Sequence, residues 1–376
     1  MNFKKIPALR IGNWETDIPI VQGGMGVGIS LSGLASAIAN AGGIGVIATA
    51  GIGMFEPDWD TNPKQADKRA LQKEIRKAKA RTDGIIGVNI MVALSDFDDL
   101  VQCAVQEEVN LLFLGAGLPI RLPESLPLDK LGKLPTKFVP IVSSAKAANI
   151  IFRSWAKQFN HIPDAVLVEG PLAGGHLGFK KEHIDNPDYA LEKILPEVID
   201  VLKPYEKQFK RNIPVIAAGG IYTGADIHKF MQLGAQGVQM GTRFVATHEC
   251  DASMEFKKAY LNCKKEDIVI IDSPVGLPGR AILDNFLQRV ASGIKETFKC
   301  PWKCLKTCDF KNVPYCIALA LTNAKDGDLE HGFAFAGANA YLVDKIVSVK
   351  ELIETLVAEY MAATKQQPMT TGMISV

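Results

Sequence analysis

Ile213-Pro214-Val215-Ile216-Ala217-Ala218-Gly219-Gly220-Ile221, followed by Gly237-Val238-Gln239-Met240-Gly241-Thr242-Arg243, presents the same pattern twice: a short apolar run that stops at glycine. Runs of this length, rich in β-branched residues and bounded by glycine, read as buried strands. Six more precede them, at residues 18–21, 44–48, 85–91, 109–114, 138–142 and 165–168. Helical stretches of roughly ten to fifteen residues alternate with them, so each neighbouring pair is a parallel βαβ unit. Eight such units predict an α/β fold closed into a (β/α)8 TIM barrel. In such barrels the chemistry sits on loops after the strands' C-terminal ends, and phosphate binds after strands seven and eight. Here those loops are Gly219-Gly220 and Gly241-Thr242-Arg243, whose bare backbone N–H groups and Thr242 hydroxyl suit a phosphate dianion.

The sixth run leads into Glu169-Gly170-Pro171-Leu172-Ala173-Gly174-Gly175-His176-Leu177-Gly178. The glycines let backbone approach a flat ligand, and the imidazole can take or give a proton near neutral pH, which makes His176 the candidate acid or base. The histidines at 161, 183, 228, 248 and 331 lie outside the glycine turns. After the first strand, Gly24-Met25-Gly26-Val27-Gly28 loosely echoes a dinucleotide fingerprint. That reading needs an acidic residue after the second strand, where Ala48-Thr49-Ala50 stand instead, so it is rejected. Ser30 or Ser32 is expected to cap the first helix.

The 376 residues are 47% hydrophobic, ample for a core, and 42 basic residues balance 41 acidic ones. No net field points to nucleic acid or an anionic membrane. Residues 1–10 lack a signal peptide's apolar centre and no run is long enough to span a bilayer, so a cytoplasmic location is expected. Seven cysteines, four of them between 300 and 316, do not form a secreted disulfide framework. Residues 64–81 hold eight basic and two acidic side chains, with Leu71, Ile75 and Ala78 on one helical face. That segment reads as a solvated helix face or as a dock for an acidic carrier protein or a phosphate-bearing substrate tail.

Pro19-Ile20-Val21-Gln22-Gly23-Gly24-Met25, Gly87-Val88-Asn89, Ala173-Gly174-Gly175-His176-Leu177-Gly178, Ala217-Ala218-Gly219-Gly220-Ile221 and Val238-Gln239-Met240-Gly241-Thr242-Arg243-Phe244, in this order, resemble the nitronate monooxygenase group, formerly 2-nitropropane dioxygenases. The type II enoyl-acyl-carrier-protein reductases share these motifs. The resemblance runs over about residues 19–289 and implies an FMN-binding barrel. It implies that Gly23, Gly24 and Met25 border the isoalloxazine, with Asn89 and Gly175 beside it. It further implies that Gly219, Gly220, Gly241 and Thr242 take the phosphate and that His176 stands over the reactive face. Gly332-Phe333-Ala334-Phe335-Ala336-Gly337-Ala338-Asn339 resembles the group's last glycine turn, near the flavin edge.

Two departures bear on substrate. Some nitronate-oxidising members carry a lysine at the end of the fifth strand, and Ile141-Val142-Ser143-Ser144 has none. The second is Cys300-Pro301-Trp302-Lys303-Cys304-Leu305-Lys306-Thr307-Cys308 with Cys316. These four admit an iron–sulfur cluster, a structural zinc or inert thiols; in a helix Cys300, Cys304 and Cys308 would share a stripe. Nearby lysines are expected to favour thiolates.

The expected organisation is an FMN-binding barrel over 1–290, a cysteine-rich insertion over 291–331, and a return to the barrel over 332–376 with a closing helix at 349–361 and a polar tail from 364. The leading function is an FMN-dependent oxidoreductase that oxidises alkyl nitronates with His176 as base. The alternatives are an NAD(P)H-dependent reductase of enoyl thioesters and a flavin-binding electron-transfer subunit. Candidate partners are a small-molecule or acyl-thioester substrate, an acidic carrier protein and a second copy of the chain in a homodimer.

Overall fold

The computed structural model describes residues 6–300 and 302–366; the expected tail beyond 366 lies outside them. Eight parallel strands form the central sheet: Ile20–Gln22, Gly45–Ala48, Ile86–Met91, Leu111–Gly115, Lys137–Val142, Val166–Glu169, Val215–Ala218 and Gly237–Met240. Each of the last six pairs with its predecessor in the chain, and the eighth pairs with the first. Closure between the first and second rests on a single parallel bridge, Val21 with Ile44, braced by the Val46 N–H donating to Gln22 Oε1 (2.9 Å). The ring is therefore complete, and every residue of Gly45–Ala48, Leu111–Gly115 and Val215–Ala218 is buried. Apolar residues without alternation are what a sheet covered on both faces requires.

Alternate residues serve two cores. Val46, Leu111, Phe113, Val139, Leu167 and Ile216 fill the barrel interior. Gly87 makes room there, since a Cβ would stand 2.8 Å from the Phe113 ring. Leu9 and Ile11 of an N-terminal hairpin, Leu9–Ile11 with Trp14–Thr16, plug the lower end. The intervening positions, among them Ile47, Leu112, Phe138 and Val168, pack outward on the helices. Those helices are Ser32–Asn40, Pro63–Lys79, Phe97–Gln106, Ala145–Phe159, Leu191–Phe209, Gly224–Gln232 and the closing Val349–Gln366, which runs five residues past its expected end. The closing helix lies so near Gly224–Gln232 that a Cβ on Gly224 would meet the Leu356 carbonyl at 2.2 Å.

Two expectations need correction. The fourth unit has no α-helix, only the 3₁₀ turn Leu128–Lys133, because Pro119, Pro123, Pro127 and Pro135 remove donors and clash with a helical path. The first helix is not capped by a serine. Its leading N–H groups at Leu31 and Leu34 donate to Asp251 Oδ2 (2.9 and 3.1 Å), and Ser32 donates to Glu74 (3.1 Å). Long-range carboxylates replace the local cap.

After the barrel's eighth strand come the antiparallel pair Ile268–Asp272 and Pro278–Ile282, then the helix Asn285–Ala291. The described residues of 292–316 form neither helix nor sheet, so Cys300, Cys304 and Cys308 do not share a helical stripe. The chain regains regular structure at the helix Ile317–Asp326. No helix among the described residues is long and apolar enough to cross a membrane.

Candidate active site

The C-terminal strand ends open into a cavity of about 360 Å³. His176, Gly23, Gly24, Met25, Asn89, Gly175, Gly219, Gly220, Gly241 and Thr242 all line it, although they come from five different strand ends. The Gly23 N–H donates to the Met240 carbonyl (2.8 Å) and the Met25 N–H to Ser30 Oγ (2.9 Å), which folds the first loop across the barrel mouth. A side chain on Gly24 is excluded, since its Cβ would lie 2.5 Å from that of Asn89.

The seventh and eighth loops are glycine-rich for different reasons. Gly219 has φ +95°, and a Cβ there would meet the Gly170 carbonyl at 2.8 Å, so the fold itself demands glycine. Gly241 has φ −111°, which any residue adopts, and the nearest atom to a Cβ there is Met25 Sδ at 3.9 Å. No protein neighbour accounts for that glycine; the space in front of it opens into the cavity. The 332–339 turn covers both loops: the Gly337 N–H donates to Thr242 Oγ1 (3.1 Å) and Asn339 Nδ2 to the Gly220 carbonyl (2.7 Å). Arg243 stacks its guanidinium over Tyr222 at 4.3 Å, so its charge is engaged there.

His176 is held by elements remote in sequence. Gly175–His176 pairs with Gly279 and Arg280 of the hairpin after the barrel, and the Arg280 guanidinium donates to the carbonyls of Pro171 and Ala173 (2.8 Å for the latter). Nε2 of His176 lies 2.7 Å from Ser273 Oγ, and its ring meets Phe335 edge-to-face at 4.9 Å. The Phe335 carbonyl is in turn fixed by the Tyr260 hydroxyl. Burial lowers the His176 pKa to about 4. The imidazole is thus neutral at neutral pH, with burial opposing its protonated form, and does not titrate near 7 as its unperturbed value suggested.

Three carboxyl groups in the cavity wall were not singled out from sequence. Glu169 ends the sixth strand, and burial pushes it up to about 7. Asp67 is pushed up to about 7 by burial and by the neighbouring Asp96 carboxylate, which burial raises as well. Asp67 keeps one strong partner, the Gly53 N–H at 2.7 Å. Ser273 was missed for another reason: 97 positions separate it from His176, and no motif links them. A hydroxyl within reach of a histidine is visible only once the hairpin is folded.

Of the four clustered cysteines only Cys304 lines the cavity. Among the described residues no group of three or more His, Cys, Asp or Glu side chains is arranged to hold a metal ion. Neither the zinc nor the cluster expectation finds a ready-made ion site among these side chains. The lysines do not favour thiolates either: burial and the charges of Cys316, Cys300 and Cys308 push Cys304 up to about 12. The basic stretch forms the Pro63–Lys79 helix, with Leu71, Ile75 and Ala78 buried, and Arg76 pairs with Glu107 (2.6 Å) on its outer side.

The nitronate monooxygenase family profile matches residues 9–359. A Mycobacterium tuberculosis enzyme named (3aS,4S,5R,7aS)-5-hydroxy-7a-methyl-1-oxo-octahydro-1H-indene-4-carboxyl-CoA dehydrogenase is 27% identical, over 91% of this chain and 92% of its own. A probable nitronate monooxygenase of Staphylococcus aureus is 29% identical over 73% of this chain and 78% of its own. Among solved structures, FabK from Thermotoga maritima superposes with a TM-score of 0.70 at 30% identity, covering 93% of this chain and 94% of that one.

Proposed function

The chain belongs to the nitronate monooxygenase family and is an oxidoreductase, and from that premise we propose that it is an FMN enzyme that oxidises alkyl nitronates, with His176 as the base that takes the α-carbon proton of the parent nitroalkane to give the nitronate. The observation that carries this reading is the meeting of a neutral, buried imidazole with two glycine loops around one cavity. FMN, when bound, supplies the acceptor for the substrate's electrons. The unfilled space at Gly241 fits it. Gly219, Gly220, Gly241 and Thr242 would hold the phosphate; Gly23, Gly24, Met25, Asn89 and Gly175 would border the ring.

The chain's own contribution is positional. Ser273 fixes the plane of the His176 imidazole, Phe335 closes one side of it, and Arg280 ties down the loop on which it stands. Leu172, Ile141 and Phe335 make the walls apolar, which keeps water away from the proton being moved. A base held this way contributes about 10²- to 10⁴-fold.

A second reading, reduction of an enoyl thioester by NAD(P)H, draws on the end of the fifth strand, where some nitronate-oxidising members carry a lysine and residues 141–144 have none, Ile141 lining the cavity there. It also draws on two of the relatives that cover more than nine-tenths of the chain, one a carboxyl-CoA dehydrogenase and the other FabK. In that reading the outer face of Pro63–Lys79 would receive an acidic carrier. The two separate in one experiment: the flavin-loaded protein, without oxygen, is mixed with an alkyl nitronate, NADH or NADPH while flavin absorbance is followed. Bleaching by the nitronate alone is expected. Rapid bleaching by a nicotinamide, with none by the nitronate, overturns the first reading in favour of the second.

A further inference from the structure

Cys300, Cys304, Cys308 and Cys316 are free thiols, each half-buried, whereas Cys103, Cys250 and Cys263 are buried in the core. The segment bearing the first three is pinned against the loop after the third barrel strand. Leu305 forms an antiparallel bridge with Leu94, the Ser95 N–H donates to the Cys304 carbonyl (3.0 Å), and the Lys306 N–H donates to the Ala93 carbonyl (2.9 Å). Trp302 adds a clamp: its ring packs on Trp59 at 4.3 Å and its Nε1 donates to Asp60 (3.0 Å). The Cys308 N–H donates to the Leu305 carbonyl (3.4 Å), turning the chain back beside Cys304. Cys316 arrives from the opposite direction as the residue before the helix Ile317–Asp326.

Four side chains from this irregular path end up mutually adjacent. Every one of the six sulfur pairs lies within electrostatic reach. As they stand, the described side chains form no ready-made site for a metal ion. Four neighbouring cysteines are nevertheless the usual ligand set of iron–sulfur clusters. We propose that Cys300, Cys304, Cys308 and Cys316 bind an iron–sulfur cluster in the wall of the active-site cavity. Cys304 lines that cavity, as do Ile317 and Ala318 directly after Cys316. Resting on the flavin reading, the cluster gives the cavity a one-electron entrance. Two reduced donors of the ferredoxin class each lose one electron through it, and the two electrons with two solvent protons convert an oxidised flavin to its dihydro form.

The test uses the full chain, purified without oxygen and reconstituted with ferrous iron, sulfide and a thiol reductant, then desalted. Iron, acid-labile sulfide, zinc and flavin are counted per chain, and the dithionite-reduced protein is examined by electron paramagnetic resonance. Equal iron and sulfide, roughly two or four of each per chain, with a reduced-cluster signal is the expected result. Cys304→Ala and Cys300→Ala should lose most of the iron, while Cys263→Ala keeps it. Wild-type protein that takes up zinc instead, forms only disulfides or holds less than about one iron per chain overturns the proposal. Full loading of Cys304→Ala overturns it too, and the wild-type counts decide if that variant does not fold. Because flavin is counted separately, flavin without iron defeats the cluster alone, and iron without flavin defeats the flavin reading alone.

Discussion

Gly241→Ala separates ligand space from protein packing. At φ −111°, with no atom nearer than 3.9 Å to the new methyl, alanine costs the folded protein nothing in strain or contact. It also lowers the unfolded chain's freedom, so the flavin-free protein should be unchanged or more stable by about 0.4–1 kcal/mol. The methyl enters the cavity beside the backbone N–H assigned to the phosphate. Losing one hydrogen bond to a charged group costs about 1.5–3 kcal/mol, or roughly ten- to a hundredfold in FMN affinity. Riboflavin, which has no phosphate, should bind variant and parent alike. The assay is a fluorescence titration of flavin-free protein with FMN and with riboflavin, beside a denaturant melt. FMN affinity equal to the parent's refutes the phosphate assignment, and a melt weakened by more than about 1 kcal/mol shows that the glycine is structural after all. Gly219→Ala is the contrast: its positive φ and 2.8 Å clash should destabilise the fold with or without flavin.

His176→Ala should keep flavin bound and lower turnover by about 10²-fold or more. In flavin-free protein the His176 resonance should titrate near 4, well under the ordinary 6.5, and a midpoint at 6.5 in an NMR titration would show that the imidazole is not buried as described. Ser273→Ala removes the partner of Nε2 and should cut kcat by up to about tenfold while KM holds, the cost of one orienting hydrogen bond; a change confined to KM would assign Ser273 to substrate binding instead. Glu169 is raised from 4.5 to about 7, so it holds its proton more tightly folded than unfolded. The stability this gives the flavin-free protein is complete below pH 4.5 and is lost as pH rises through about 7. Glu169→Gln should flatten that slope in denaturant melts taken between pH 5 and 8, and an unchanged slope would place the titration elsewhere.

All eight barrel strands were legible because a parallel strand covered on both faces is apolar along most of its length, and a sequence can signal that without reference to any partner. The glycine turns were legible for a similar reason: positive φ at Gly219 and Gly220 restricts the residue type locally. What escaped was set by distance. The first helix takes its cap from Asp251, more than 200 positions away, and that choice leaves no mark near Ser30 or Ser32. The missing fourth helix was signalled by four prolines, a local cue that the regular βα alternation overrode.

The candidate site divides along the same line. Ten cavity positions were named because each sits in a glycine turn or at a strand end. Of the groups that tune His176, Ser273 and Arg280 were not named, because they come from the hairpin that follows the eighth strand, whereas Phe335 lies in the 332–339 turn that the resemblance singled out. The barrel supplies the loops that cradle a ligand, whereas the added hairpin and the 332–339 turn set the histidine's orientation and bury it. Burial, in turn, is what lowers its pKa and keeps it neutral. A change of substrate in this architecture therefore calls for changes in residues 268–339 more than in the strands. The cysteine segment lies inside that same interval, with Cys304 at the cavity wall, so the part of the chain free to alter the chemistry is also the part that carries the unexplained thiols.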